Sequence, residues 1–438
     1  MQLTSFTFLF AFLPVSLLFL LLLRKRLPGQ NAALLILSVL FCAASGLAGF
    51  LAGLLETLAV YAFARLLARN KSPKARKMVF TLGVLFCVGL LCYFKYTNFL
   101  LGALSLPTVS LLPAPVGVSF LTFLLISYLA DVCRGEIPAE RRFDRFLLYA
   151  FFFPKAAQGP LCRYGEFSAQ LDTRTVTADG LNAGVTRLIF GLGKKALLSS
   201  AAGAIAQEAF SLPSSALSPV YAWTGAICYA LQIYFDFSGY SLMALGAAEL
   251  LGLQLTTNFD TPYFSRSIRE FWGRWHISFS SWLKDYVYIP LGGNRKGKAR
   301  KYLNLLLTFL VSGVWHGVGL TYLIWGALHG VYQIAGDATD RLRGRVYAAL
   351  HVSRTGRLAC AWQCLCTFAL VNAAWVFFRA ASVHDALYVL TAQFRNVSLT
   401  GLLADIRAIA ASFNAKSLLS AAFLAFVLLA LAGGVLLD

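Results

Sequence analysis

Apolar stretches long enough to cross a lipid bilayer recur along this chain, and short basic loops separate them. Of the 438 residues, 58% are hydrophobic and only 13% are charged. A helix needs about 20 apolar residues to span the hydrocarbon core, where every backbone hydrogen bond must be made within the protein. The sequence therefore predicts an all-α polytopic membrane protein. A single membrane domain over residues 1–438 is the simplest division of the chain.

The distribution of positive charge orients the predicted spans. The net charge is +19 at pH 7, and the excess basic residues lie between apolar stretches, which is typical of cytoplasmic loops and needs no nucleic-acid partner. Basic residues at 24–26, 69–77 and 134–145 then share the cytoplasmic side. This places the N-terminus on the extracytoplasmic side. The connecting spans are predicted at 32–53, 54–67, 78–101 and 116–130.

Residues 146–167 begin as an apolar stretch but contain helix breakers at Pro154, Gly159 and Pro160. An irregular backbone at membrane depth is tolerated only inside protein or beside a water-filled cavity. The segment is therefore either a re-entrant segment or an ordinary loop at the membrane surface. Further apolar stretches occur at 185–210, 221–253, 359–378 and 417–437.

Residues 264–286 carry apolar and Trp side chains at intervals of three or four, with basic side chains mostly between them. This pattern predicts one amphipathic helix in the membrane interface, with His276 at the edge of its apolar face. A Gly-Gly-Asn turn at 292–294 follows, and then a basic segment, residues 295–301, that should face the cytoplasm. The cations of the basic segment are Arg295, Lys296, Lys298, Arg300 and Lys301.

Residues 302–335 carry no charged side chain, and His316 lies near the middle of this run. One helix of this length would extend about 50 Å, against about 30 Å of hydrocarbon, so the run is a tilted or overshooting helix or a hairpin broken at one of its glycines. A buried histidine needs a partner, and either a helix–helix hydrogen bond or a functional role explains His316. We interpret His329 as structural, and His351 and His384 as exposed.

Polar groups also gather inside the stretch QIYFDFSGYS, which includes Gln232, Asp236, Ser238 and Tyr240. An acid within a span is a functional candidate, although an ion pair or an inter-helix hydrogen bond also explains it. The nine cysteines show no metal-ligand or disulfide spacing, so we expect neither a disulfide framework nor a bound metal. We also expect no resident cofactor.

Residue types alone leave two functional classes open. The chain lacks the Gly-x-Ser-x-Gly elbow, a phosphate-binding glycine loop and the HExxH pattern. An intramembrane histidine can act as a general base on a hydroxyl, or relay protons in a transporter together with Asp236.

The blocks RSIREFWGRWHISFSSWLKDYVYIPLGGNRKG and VSGVWHG closely resemble the membrane-bound O-acyltransferase (MBOAT) family. The blocks FFFPKAAQGPLCRY, QIYFDFSGYSLMALG and WVFFRA resemble other family motifs in the same order, so the likeness covers about residues 85–380. The IPLGGNRKG tail is similar to the bacterial branch that O-acetylates alginate and peptidoglycan. Leu242 and Lys155 depart from the family pattern, which leaves the acceptor open.

This resemblance implies a bundle of about 10–12 tilted transmembrane and re-entrant helices around a tunnel, with interfacial amphipathic helices. It implies a bacterial cytoplasmic-membrane enzyme that takes acetyl from cytosolic acetyl-CoA and passes it toward an extracytoplasmic polysaccharide. A secreted or periplasmic SGNH-type partner would receive the group, and transfer of D-alanyl or another acyl group from a carrier protein is the alternative within the family.

The resemblance also implies roles for particular residues. His316 and His276 correspond to the two family histidines and are the catalytic candidates. The residues expected to orient substrate in the tunnel are Asp236, Gln232, Tyr240, Trp315 and Ser312. Those expected to attract the donor are Arg274, Arg295, Lys296 and Lys298, although the charge of the basic segment is also explained by topology alone.

Overall fold

The computed structural model describes residues 1–212, 217–395, 401 and 403, and the regular elements in these ranges are helices. In chain order they are α1 (Leu13–Leu22), α2 (Leu27–Ala44), α3 (Leu47–Arg69), α4 (Pro73–Ala103), α5 (Val118–Arg134), α6 (Phe143–Phe151), α7 (Tyr164–Gln170), α8 (Ala178–Gly193), α9 (Ser200–Ser211), α10 (Pro219–Leu250), α11 (Ile268–Arg274), α12 (Ile277–Leu283), α13 (Gly297–His316), α14 (Leu320–Ala338), α15 (Asp340–Ala349), α16 (Arg357–Arg379) and α17 (Val383–Ala392). Short π-helical turns precede α1, join α8 to α9, and follow α12.

Within the described residues, five helices are long and apolar enough to cross a membrane. They are Leu27–Ala44, Leu47–Arg69, Pro73–Ala103, the continuous helix Ala178–Ser211, and Arg357–Arg379. Many of their large apolar side chains are exposed, as suits a surface that faces lipid. The prediction of an all-α, multi-pass membrane protein is thus confirmed. The last predicted span, 417–437, lies outside the described residues.

One early span boundary was wrong. The sequence predicts a break near Gly53, whereas α2 ends before Gly46, whose φ of 149° lies in the region that favours glycine. Gly53 lies inside α3, where its backbone packs closely against Leu121 and Phe151. Small residues allow such close approach of membrane helices, so Gly53 is a packing residue and not a breaker.

The chain divides into two compact units. Unit 1 comprises residues 1–191, 240–260 and 276–291, and unit 2 comprises residues 192–239, 261–275 and 292 onward. The single domain that the sequence suggests stays a prediction.

In unit 1, α5 packs against α3 and α4, and nearly every side chain from Leu121 to Val132 is buried. The broken segment 152–163 is also largely buried within the unit, so a loop exposed at the membrane surface does not describe it. Lys155 lies in this segment with its Nζ 3.8 Å from the centre of the Tyr149 ring. This burial favours the re-entrant interpretation.

In unit 2, α13 and α14 form a hairpin, which is one of the three arrangements predicted for residues 302–335. The hairpin turns at Gly317–Gly319. A Cβ added to Gly326 would lie 2.3 Å from the Phe309 carbonyl oxygen, so the two backbones are in direct contact. The helix α16 packs against α14, with the Trp325 and Trp375 rings stacked at 5.7 Å.

Candidate functional site

His276 lies at a break between two short helices of the chain. The sequence predicts one interfacial helix over 264–286, but α11 ends at Arg274 and α12 begins at Ile277. His276 has a φ of 44°, a left-handed conformation that stops a helix and is uncommon outside glycine. The Ile277 N–H donates to the Asn258 carbonyl at 2.9 Å, which holds the break. The period of the apolar residues alone could not predict this break, because their spacing of three or four residues continues across it.

The His276 ring is buried and oriented within unit 1. Only 2% of the residue is exposed, so the side chain lies inside the protein. Its Nδ1 lies 3.1 Å from Asn258 Oδ1. The ring also stacks on Phe279 and Phe120, at centroid distances of 5.0 and 6.2 Å. A polar contact and aromatic stacking therefore hold the His276 ring in place.

Asn258 connects His276 to several parts of unit 1, and sequence reasoning missed it. Its Oδ1 also accepts from the Ser278 N–H at 3.2 Å and the Ser278 hydroxyl at 2.9 Å. Its Nδ2 donates to Ser241 Oγ at 3.0 Å. The Ser278 hydroxyl in turn accepts from the Leu161 N–H at 3.0 Å. The sequence offered only a weak indication of Asn258, namely a polar side chain that follows a long apolar helix.

His316 is the last residue of α13, beside the glycine turn of the hairpin. It is half-buried, and its ring contacts Trp325 and Phe378 edge-on, at centroid distances of 4.9 and 5.0 Å. The Trp315 ring lies 4.3 Å away. His316 is thus at a helix end and not in the middle of a helix, and the aromatic walls come from α14 and α16, which its local sequence could not indicate.

Behind this aromatic wall lies His329, fully buried in unit 2. Its Nδ1 accepts a hydrogen bond from Trp272 Nε1 at 3.2 Å. Trp325 contacts both His329 and His316, at centroid distances of 5.0 and 4.9 Å. These contacts agree with a structural role for His329. His351 and His384 are exposed, as expected.

The other polar candidates separate into different surroundings. Asp236, on α10, pairs with Lys195 at 2.5 Å, which is the ion-pair alternative with a lysine as partner. The Gln232 backbone carbonyl accepts from Ser199 Oγ at 3.2 Å. Tyr240 is buried in unit 1, whereas Ser312 is buried on α13, one turn before His316.

The cations expected to attract the donor differ in their ion pairing and in their exposure. Arg274 is held by Glu270 at 2.9 Å and by the Thr261 hydroxyl at 3.4 Å, so its charge is partly neutralised. Arg295, Lys296 and Lys298 are exposed. Gly292 and Gly293 have φ of 109° and 55°, and the buried Asn304 donates to the Gly293 carbonyl at 2.8 Å. The turn before the basic segment is therefore well defined, and the segment exposes these three cations, whereas its Lys301 pairs with Asp337 at 2.7 Å.

The described residues contain no group of three or more His, Cys, Asp or Glu side chains arranged to hold a metal ion. The side chains of His276 and His316 can each take part in acid–base and hydrogen-bond chemistry. His276 has an amide partner, and the half-buried His316 contacts the Trp315, Trp325 and Phe378 rings.

Comparison with known proteins identifies relatives. Residues 142–383 match the model of the membrane-bound O-acyltransferase family. The chain is 38% identical over 406 residues to the probable alginate O-acetylase AlgI of Pseudomonas aeruginosa, covering 90% of this chain and 75% of that protein. It is 34% identical over 419 residues to the peptidoglycan O-acetyltransferase of Helicobacter pylori, covering 87% and 78%.

A third relative, the probable alginate O-acetylase AlgI of Pseudomonas syringae, is 39% identical over 340 residues. That match covers 73% of this chain and 63% of the relative, so it spans less than two thirds of the relative's length. The matched family region contains both predicted family histidines, His276 and His316. By the family match and the long alignments together, this chain belongs to the membrane-bound O-acyltransferase family.

Proposed function

We propose that this chain is a membrane O-acetyltransferase component that moves acetyl groups from cytosolic acetyl-CoA toward an extracytoplasmic polysaccharide. The observation that carries the proposal is its long alignment to proteins named for O-acetylation of alginate and of peptidoglycan. Both of those acceptors are glycans. Transfer to a glycan hydroxyl is therefore the reaction that this chain's relatives support.

The donor side of the proposal rests on charge. CoA carries several phosphate charges, and an exposed basic segment attracts an anionic ligand and raises its local concentration. Arg295, Lys296 and Lys298 are exposed and follow a turn that Asn304 anchors. Arg274 contributes less, because Glu270 already pairs with it. We assign donor attraction to the basic segment, on the cytoplasmic side.

For the chemistry, we assign the general base to His316. It would remove the proton of an acceptor hydroxyl while the oxygen attacks the thioester carbonyl. The tetrahedral intermediate then expels the CoA thiolate, which takes up the proton, so that an alcohol and acetyl-CoA give an acetyl ester and free CoA. Trp325 and Phe378 restrict the ring and exclude water around it, which keeps the base oriented.

The remaining candidates have supporting parts in this proposal. His276 belongs to the donor side, where it would position the pantetheine thioester. Trp315 and Ser312 lie next to His316 in α13 and would orient the acceptor. Asp236, Gln232 and Tyr240 would orient or polarise groups along the path, although the pairing of Asp236 with Lys195 limits that role.

The proposed acceptor is reached through a partner. An extracytoplasmic SGNH-type protein would supply the acceptor hydroxyl, carry the acetyl group as an ester and deliver it to the polysaccharide. Such a division suits a chain whose described residues are largely helical and apolar. This route places the chain in the bacterial cytoplasmic membrane. The basic residues at 24–26, 69–77 and 134–145 support an extracytoplasmic N-terminus.

Release of CoA from acetyl-CoA tests the proposal. The purified protein in nanodiscs is incubated with radiolabelled acetyl-CoA, with and without candidate SGNH partners, and free thiol and label transfer are measured. We expect His316→Ala to lower CoA release by about 10²-fold or more, because a positioned base contributes about that much. His384→Ala is the control, since this histidine is exposed on α17.

Equal CoA release by the His316→Ala and His384→Ala variants would refute the assignment of His316. Turnover only with an acylated carrier protein would support the alternative transfer of D-alanyl or another acyl group. Proton flux without consumption of any thioester would instead support a transporter that uses His316 and Asp236.

A further inference from the structure

The orientation of the Asn258 side chain follows from its hydrogen-bond partners. An amide oxygen and an amide nitrogen look alike in shape, so their positions must be read from the surrounding donors and acceptors. The Ser278 backbone N–H can only donate, and it lies 3.2 Å from Oδ1. At the other end of the amide, Nδ2 lies 3.0 Å from Ser241 Oγ. The atom that faces Ser278 is therefore the amide oxygen.

This orientation determines where the hydrogen sits on His276. Asn258 Oδ1 can only accept, and it lies 3.1 Å from His276 Nδ1, so Nδ1 must carry the hydrogen. In a neutral imidazole only one nitrogen is protonated. His276 in its neutral form is therefore the Nδ1–H tautomer, with the lone pair on Nε2.

Several independent contacts keep Asn258 in this position. Its backbone carbonyl accepts from the Ile277 N–H at 2.9 Å, and its Oδ1 accepts from the Ser278 hydroxyl at 2.9 Å. That hydroxyl is itself held by the Leu161 N–H. Asn258, His276 and Ser278 are each at most 2% exposed. Because water cannot replace these partners, rotation of the amide would leave buried polar groups unpaired.

We propose that Asn258 is a positioning residue that fixes His276 as the Nδ1–H tautomer and so makes Nε2 its hydrogen-bond-accepting nitrogen. This sharpens the donor-side role, since a neutral His276 in this state cannot donate to a thioester carbonyl. It receives a hydrogen from an N–H or O–H group instead. The kinetic consequence rests on the proposed function, whereas the tautomer is a property of the protein alone.

Nitrogen-15 NMR of histidine-labelled protein in nanodiscs tests the tautomer directly, because protonated and unprotonated ring nitrogens have different chemical shifts. The chain has five histidines, so the signals lost in His276→Gln identify those of His276. We expect a protonated Nδ1 and an unprotonated Nε2 in the neutral ring. A wild-type His276 protonated at Nε2 alone would overturn the proposal, whatever the activity.

Kinetics tests the positioning role. We expect Asn258→Ala to lower kcat for CoA release by at least about tenfold with little change in KM, as outer hydrogen-bond partners of functional histidines commonly do. Asn258→Asp keeps an acceptor beside Nδ1 and should restore the tautomer and part of kcat. Asn372→Ala is the matched control, because Asn372 is equally buried and donates to the Ala226 carbonyl at 2.9 Å, away from both histidine candidates in sequence.

Equal kcat in the Asn258→Ala and Asn372→Ala variants would overturn the positioning role. Absence of CoA release in the wild type would count against the proposed function and leave the spectra to decide the tautomer. If Asn258→Ala does not fold, the wild-type spectrum and the Asn258→Asp variant still decide, since a shift of the hydrogen to Nε2 in the latter contradicts the proposal.

Discussion

The contact between α13 and α14 makes Gly326 a sensitive position. A Cβ at Gly326 would lie 2.3 Å from the Phe309 carbonyl oxygen and 3.2 Å from Gly313 Cα. Ordinary van der Waals contact begins near 3.4 Å. Both neighbours are backbone atoms, which cannot rotate away. Gly326→Ala must therefore separate the two helices by about 1 Å, the difference between 2.3 and 3.4 Å.

The expected cost has a structural part and a functional part. Overpacking of a well-packed interface typically costs about 1–3 kcal/mol of folding free energy. Trp325 precedes Gly326 and forms one wall around His316, so the same shift moves that wall. A displacement of about 1 Å at a reacting group can cost about 10²-fold in rate. We expect Gly326→Ala to melt at a lower temperature and to lose most CoA release.

Gly336→Ala is the matched control on the same helix. A Cβ at Gly336 has no atom within 4 Å, and alanine is favoured over glycine in helices by about 1 kcal/mol. This variant should be at least as stable as the wild type. Thermal unfolding in one detergent and thiol release from acetyl-CoA are the two measurements. If the two alanine variants melt together, the helices are not packed backbone to backbone as described, and the reasoning fails.

Two further predictions concern charge outside the spans. Neutralising part of the basic segment should raise KM for acetyl-CoA at low salt with kcat nearly unchanged, whereas replacing the three lysines within residues 69–77 should not. The three replacements are Arg295→Gln, Lys296→Gln and Lys298→Gln. Separately, hydrogen bonds from Arg145 hold the pKa of Asp172 below its usual value of 3.8. Because the pKa of Asp172 is lower in the folded protein, its ionised carboxylate stabilises the fold above pH 3.8. This stabilisation is lost as the pH falls through the lowered pKa. Asp172→Asn should cost about 0.2–1 kcal/mol in thermal unfolding at pH 7, because the carboxylate is mostly exposed, and little near pH 2; an equal cost at both pH values would contradict this.

The Asp236 pair shows what composition can and cannot predict. A carboxylate inside a span needs a counterion or a functional partner, and the sequence indicated both alternatives. The partner is Lys195, which lies in a π-helical turn forty-one residues away. Which cation meets an acid depends on how distant helices pack, so no local pattern could select it.

The segment 264–286 illustrates the same limit more sharply. Its apolar period predicts one helix, yet the chain breaks at His276 because the Asn258 carbonyl captures the Ile277 N–H. Periodicity reports which residues prefer to be buried, and it does not report where a distant acceptor competes with the helix for a donor. The hairpin of α13 and α14 was among the arrangements predicted from the sequence. One helix over residues 302–335 would be longer than the bilayer is thick, and the glycines of this run allow a turn.

The sequence by itself determined the class of protein. Long apolar stretches and basic loops indicate a multi-pass membrane protein, because hydrophobic transfer and charge orientation act on local composition. The motif blocks resemble the membrane-bound O-acyltransferase family. Tertiary structure alone decided the surroundings of the two histidines: Asn258 at His276, and Trp325 and Phe378 at His316. These contacts join residues remote in sequence, so they depend on packing and not on local pattern.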